Sequence, residues 1–141
     1  DLAHASPAAF ADTLAIATRP VVVSHGGVKA TCNTTRNLSD DQLRALAANG
    51  GVIGIGYWDA AVCKPTPAAT AAAIKHVRDL VGIQYVGLGS DFDGARTTGL
   101  DAGELAAITR ALIDAGFSDV EIAAVMGGNV VRVLRAGTAP R

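Results

Sequence analysis

Aromatic residues are scarce in this chain of 141 residues: one Trp, two Tyr and three Phe, or 4%. A core must therefore be built from Ala, Val, Leu and Ile, and with 50% of residues hydrophobic one domain has enough apolar surface to do so. An excess of charge is missing too. Lys and Arg number 12 against 13 Asp and Glu, for a net charge of −1. No basic cluster occurs, which gives no support to nucleic-acid binding or electrostatic attachment to a membrane surface. No apolar run approaches the ~20 residues that span a bilayer. Cys32 and Cys63 are too few for a disulfide scaffold or a cysteine-based zinc site. They are either two free thiols or one bridge, whose loop of about 30 residues would contribute ~3–4 kcal/mol. The opening Asp1-Leu2-Ala3-His4 has no Met and no basic region of the kind that starts a signal peptide. We therefore expect residues upstream, which leaves the compartment (secreted, cell-surface or cytoplasmic) open.

What is present is an alternation. Val21-Val22-Val23-Ser24-His25 is a β-branched run that stops at polar residues and then at Gly26-Gly27, as a strand buried on both faces of a parallel sheet would. Val52 to Tyr57 and Tyr85 to Asp91 read the same way, and Leu2-Ala3-His4 is a stub that could finish another strand. Gly54 and Gly56 suggest crowding by a neighbouring backbone or a ligand. Between the strands lie helical patterns. One runs from Ser6-Pro7, a cap and a proline at the first helical position, to about Thr18. A second follows Ser39 and ends at Asn49-Gly50-Gly51. A third runs from Pro65-Thr66-Pro67 to Val81, with Gly82 as its stop. Further helices are expected at 102–115, 119–126 and 129–135. The fold class is α/β with a parallel sheet, in a single segment, 1–141, without repeat or linker.

Ionisable side chains stand at three strand ends, His4, His25 and Asp91, and the loop after the second strand adds Arg36. In a βα barrel such side chains converge on one cavity. Neutral imidazoles suit zinc, a carboxylate can take a proton from a metal-bound water, and an Arg fork suits a substrate carboxylate. Bland readings stand beside these. His25 is also a candidate for a simply hydrogen-bonded strand-end histidine, Asp91 for a turn-former in Asp91-Phe92-Asp93-Gly94, and Arg36 for a partner of Asp40 or Asp41. His76 reads as ordinary helix surface.

Taken in order, Asp1-Leu2-Ala3-His4, Ser24-His25, Cys32, Arg36-Asn37-Leu38, Gly89-Ser90-Asp91-Phe92-Asp93-Gly94 and Gly128-Asn129-Val130-Val131-Arg132-Val133 resemble the membrane (renal) dipeptidase family of zinc peptidases, across almost the whole chain. The separation of 21 between the two histidines is also similar to the family's. The resemblance implies a (β/α)8 TIM-type barrel, of which this chain would be the C-terminal half, strands 5–8. It also implies two zinc ions with a bridging hydroxide that attacks the peptide bond of a dipeptide. His4 and His25 match the histidines of one zinc, and Arg36 matches the residue that binds the substrate's C-terminal carboxylate. Asp91 matches the acid that meets the substrate's amino group and moves protons. Cys32 and Cys63 match cysteines that are bridged in the animal enzymes. Family members are often homodimers and, in animals, anchored outside the cell by lipid.

The departures are equally definite. The His-x-Asp pair that holds the other zinc, the bridging Glu and the oxyanion-stabilising His are absent. Glu104 and Glu121 fall in late helices and are not expected to substitute. Two histidines make a poor zinc site by themselves, so this segment alone is expected to be inactive without the N-terminal half. Tyr57 and Trp58 are candidates for the pocket lining. Two other readings remain. One is a different metal-dependent, amidohydrolase-like barrel hydrolase acting on cyclic amides or phosphoesters. The other is a catalytically dead fragment kept as a binding module. Arg36 is the discriminator for the first: an Arg36→Ala exchange in the full-length enzyme that left dipeptide affinity unchanged would rule out the carboxylate clamp.

Overall fold

A computed structural model describes residues 1–94 and 97–139. Three short apolar strands form the sheet: β1 (Val22–Gly26), β2 (Val52–Ile55) and β3 (Val86–Leu88). They pair in parallel in the order β1-β2-β3, with Val23 opposite Ile53 and Ile53 opposite Val86. Parallel neighbours need a crossover between them, and helices supply it. Helix α1 (Pro7–Ile16) precedes β1, α2 (Asp40–Ala48) lies between β1 and β2, and the short α3 (Asp59–Val62) and long α4 (Pro67–Val81) lie between β2 and β3. Helices α5 (Ala106–Asp114), α6 (Asp119–Ala123) and α7 (Asn129–Thr138) follow. No described helix is long and apolar enough to cross a membrane.

The caps explain where the helices start. Ser6 accepts from the Ala9 amide ahead of Pro7, and Ser39 and Gln42 satisfy each other's backbone amides in a capping box. Thr66 caps α4, which stops at Gly82 in the left-handed region at φ 112°. The core is aliphatic, with Ile53, Ile55, Ile74, Val77, Val86, Ile108 and Leu112 all fully buried.

Several elements differ from the sequence reading. The Leu2-Ala3-His4 stub is a turn instead of a strand end. It gives β1 one backbone bond, Leu2 N–H to Val22 O at 2.7 Å, before leaving the sheet at His4. Helix α1 ends two residues early, at Ile16. The strand expected over 85–91 is only Val86–Leu88, because a 3-10 turn, Ile83–Tyr85, precedes it. The helix expected over 102–115 splits into a 3-10 turn, Ala102–Glu104, and α5. That expected over 119–126 breaks at Ala124–Gly128, where Gly127, non-helical at φ 155°, kinks the chain between α6 and α7. His76 is no plain surface residue, since its Nε2 lies 2.8 Å from Asp40 Oδ1 and ties α4 to α2.

Parallel strands put all their C-terminal ends at one edge, where the chemistry-bearing loops follow. The opposite edge is stitched shut. Asn129 Nδ2 donates to Ile83 O and Val86 O, both at 2.7 Å, and Arg132 donates to Gly50 O and Gln84 O at 2.8 and 2.7 Å. Removing the buried Asn129 amide leaves two carbonyls without their donor. Asn129→Ala is accordingly expected to lower the unfolding free energy by about 2–3 kcal/mol in urea denaturation, and a loss under about 0.5 kcal/mol would contradict this role.

Candidate active site

The site is built at the C-terminal edge of the sheet, where three backbones come unusually close. A Cβ added to Gly89, just past β3, would overlap Ser24 O and stand 2.9 Å from both Gly54 O and His25 Cα. A Cβ on Gly54 would likewise stand 2.9 Å from Gly89 Cα. Only glycine permits this approach. The crowding expected at Gly54 therefore comes from protein backbone, and that at Gly56 from the ring of Trp58. Through this closure Asp91, three residues past β3, reaches across to β1.

His25 sits in β1 at this edge. Its Nδ1 is 2.9 Å from Ser24 Oγ, and its ring tilts against that of Trp58 with centroids 5.9 Å apart. His4 comes in from the stub with φ 75°, and its Nε2 stands 3.1 Å from His25 Nε2. Asp91 Oδ2 lies 3.7 Å from the same His25 nitrogen, and Asp91 too has a left-handed backbone, at φ 50°. A non-glycine residue in that region costs on the order of 1–3 kcal/mol, and such residues cluster at functional sites. Arg36 Nη2 is 3.2 Å from His4 Nε2 and donates to His25 O at 3.4 Å. His4, Arg36, Trp58 and Asp91 line a common cleft of about 450 Å³, with Thr34, Thr35, Ala60 and Gly94. Asp40 and Asp41, the alternative partners for Arg36, meet His76 and Arg44. Tyr57 does not line the cleft. It is buried against Phe92, with ring centroids 5.8 Å apart, and burial pushes its phenol up to about 12.

The loop that carries Arg36 is fastened to the segment after β2. Cys32 and Cys63 form a disulfide with Cα atoms 5.4 Å apart, so the thiols are not free. The buried Asn37 Nδ2 donates to Cys32 O at 2.7 Å and Ala61 O at 2.9 Å, and Thr34 Oγ1 donates to Ala60 O at 2.9 Å. The space beside Gly27 is taken up by this contact, since a Cβ there would overlap Ala61 O and lie 2.6 Å from Asn37 Oδ1. The sequence reads Thr34 and Thr35 as polar loop residues facing the space above the sheet, and both line the cleft; it assigns no role to Asn37 or Ser24, whose only signal is their position beside Arg36 and His25. Glu104 and Glu121 serve as capping groups for Asp101 and Ser118.

The donors suit a metal. Two nitrogens bound to one zinc at the usual length and tetrahedral angle stand about 3.3 Å apart, close to the 3.1 Å between His4 and His25. With Nδ1 occupied by Ser24 Oγ, Nε2 is the His25 nitrogen that faces His4 and Asp91. Among the described residues, no group of three or more His, Cys, Asp and Glu side chains is placed to hold an ion. The pair is two ligands of a set that normally needs three or four.

The family model for membrane dipeptidases (peptidase family M19) matches residues 1–139. The chain belongs to the membrane dipeptidase family. Among membrane dipeptidase relatives, it is 38% identical to the dipeptidase verJ of Clonostachys rogersoniana, over 95% of this chain and 36% of that protein. It is 37% identical to the dipeptidase aclJ of Aspergillus oryzae, over 95% of this chain and 34% of that protein. It superposes with a TM-score of 0.88 and 25% identity on a metallo peptidase from Rhodobacter sphaeroides crystallised with a phosphinate mimic of the dipeptide L-Ala-D-Ala, covering 96% of this chain and 41% of that one. The chain thus spans about a third of the length of these curated relatives.

Burial holds the His25 imidazole below its ordinary value of 6.5. Arg36 and His4 push the same way, against the opposing pull of Asp91 and Asp93. His25 should therefore titrate below 6.5 in an NMR pH series on the folded, metal-free chain. The unfolded state then binds this proton first, so the associated stability is complete above 6.5 and is lost as pH falls through the folded value. A His25 midpoint above 6.5 would contradict the geometry.

Proposed function

We propose that this chain supplies part of the metal site, the carboxylate clamp and the proton-handling acid of a zinc-dependent dipeptidase. In this reading, it forms the C-terminal half, strands 5–8, of a (β/α)8 barrel. The observation that carries the reading is the meeting of His4 and His25, Nε2 to Nε2 at 3.1 Å, at the cleft that His4, Arg36 and Asp91 line. The half-barrel assignment draws support from the short span of the chain against its relatives. It draws further support from a sheet that ends, among the described residues, at β1 on one side and β3 on the other.

His4 and His25 would hold zinc through Nε2. Bound zinc lowers the pKa of water toward 7 and so supplies a nucleophile at neutral pH. Ser24 Oγ, on the far nitrogen of His25, orients the ring. The guanidinium of Arg36 offers a planar fork to the free carboxylate of a short peptide. A residue added at the peptide's C-terminus moves that carboxylate out of reach, which restricts the substrate to dipeptides. Asp91, 3.7 Å from His25 Nε2, would receive the substrate's ammonium group and hold or release a proton at Oδ2. Trp58, 2% exposed, forms an apolar wall that keeps water from this side of the cleft. Two protein ligands are too few for a competent zinc centre, so the remaining ligands would come from the N-terminal half.

Trp58 is the single tryptophan and touches the His25 ring, which makes its fluorescence a report on the pair. Zinc added to the chain at pH 7.5 is expected to change Trp58 emission saturably. His4→Ala and His25→Ala should each weaken the apparent affinity at least tenfold. Equal affinity in wild type and both variants would place the metal elsewhere. The zinc-loaded chain is also expected to show no dipeptide turnover above the metal blank, whereas clear turnover would refute the need for ligands from the other half.

A further inference from the structure

Two imidazoles on separate segments meet only if something fixes the segments, and neither ring is held by deep burial: His4 is exposed and His25 half-buried. His25 is fixed by β1. His4 lies on a stub that leaves the sheet after a single backbone bond, Leu2 N–H to Val22 O. A continuing parallel strand would next offer a carbonyl oxygen to the Ser24 amide. The stub cannot, because it turns at Ala3-His4, where Ala5 N–H closes back on Leu2 O at 3.1 Å. The missing acceptor is supplied by a side chain. Asp1 Oδ1 accepts from Ser24 N–H at 3.0 Å and also from Ala3 N–H at 3.0 Å. One oxygen thus ties the start of the turn that presents His4 to the residue directly before His25.

We propose that Asp1 is a positioning residue for the imidazole pair: its carboxylate takes the place of a strand carbonyl and sets the stub so that His4 Nε2 faces His25 Nε2. The role belongs to the acceptor oxygen and not to the charge, because both bonds converge on Oδ1. An asparagine, whose carbonyl oxygen occupies the same place, should preserve it, and an alanine should not. Asp1 touches neither a ligand nor the cleft. Its effect is exerted through the backbone of the stub. The proposal rests on the reading of His4 and His25 as a metal pair only in what the placement is for; the placement itself can be observed without metal.

The test compares wild type, Asp1→Asn and Asp1→Ala in two measurements on the 141-residue chain. In the metal-free chain, nuclear Overhauser contacts between the ring protons of His4 and His25 are expected in wild type and Asp1→Asn, and are expected to be lost in Asp1→Ala. In zinc titrations followed by Trp58 fluorescence, Asp1→Ala should weaken binding about tenfold and Asp1→Asn less than threefold. In a His4→Ala background, Asp1→Ala should cause no further loss. Thermal midpoints separate a general loss of stability from a loss of placement. If Asp1→Ala lowers the midpoint yet keeps both the ring contacts and the zinc affinity of the folded chain, Asp1 is a structural tie only and the proposal is overturned. A failure of Asp1→Asn to restore the contacts would overturn the acceptor argument as well. If wild type takes no zinc at the pair, the metal reading fails, and the ring contacts still decide the role of Asp1.

Discussion

The chemistry proposed for this chain depends on one contact, the approach of two imidazole nitrogens to 3.1 Å from segments 21 residues apart. Nothing in the intrinsic preferences of histidine favours such a pair in the metal-free state. Two imidazole nitrogens can share at most one proton between them, and a second charge would repel the first. The pair stands because backbone on either side of it is fixed. β1 holds His25, and the stub holds His4 with a left-handed backbone that only a surrounding constraint would keep. Burial and the neighbouring guanidinium both favour a neutral His25, the form that can donate a lone pair to a metal.

The approach of Asp91 has a different origin. β1 and β3 are separated by β2, yet Asp91 comes within 3.7 Å of His25. Gly54 and Gly89 make this possible by removing the side chains that would hold the strand ends apart. The other end of the sheet is treated in the opposite way, since Asn129 and Arg132 bond the carbonyls of the turns that lead into β2 and β3. One end is thereby closed by hydrogen bonds and the other left open for loops. The loop with Arg36 is in turn restrained by the Cys32–Cys63 bridge and by the buried amide of Asn37. A long, flexible arginine is most useful as a clamp when its base does not move.

The three buried strands, the caps at Ser6 and Ser39 and the stop at Gly82 were legible because each is a local signal: β-branched runs, a hydroxyl before a helix, a glycine after one. His4, His25, Asp91 and Arg36 could be picked out as polar groups at strand ends and in the loop that follows. Their order along the chain then carried the family resemblance. What escaped depends on partners distant in sequence. His76 reads as surface until Asp40, 36 residues away, comes to meet it. Asp1 and Ser24 look like ordinary polar residues until the stub lies beside β1. The 3-10 turn at Ile83–Tyr85 that shortens β3, and the kink at Gly127 between α6 and α7, interrupt patterns whose local periodicity reads as continuous. The pairing of the two cysteines stayed open on sequence grounds, as loop-closure entropy alone does not choose between thiols and a bridge.

X-ray absorption at the zinc edge of the zinc-loaded chain tests the central contact most directly. The expected spectrum has a first shell at about 2.0–2.1 Å and outer-shell scattering that requires two imidazole rings on a single ion. A spectrum fitted by one imidazole or none would contradict it, because His4 and His25 would then not share a metal.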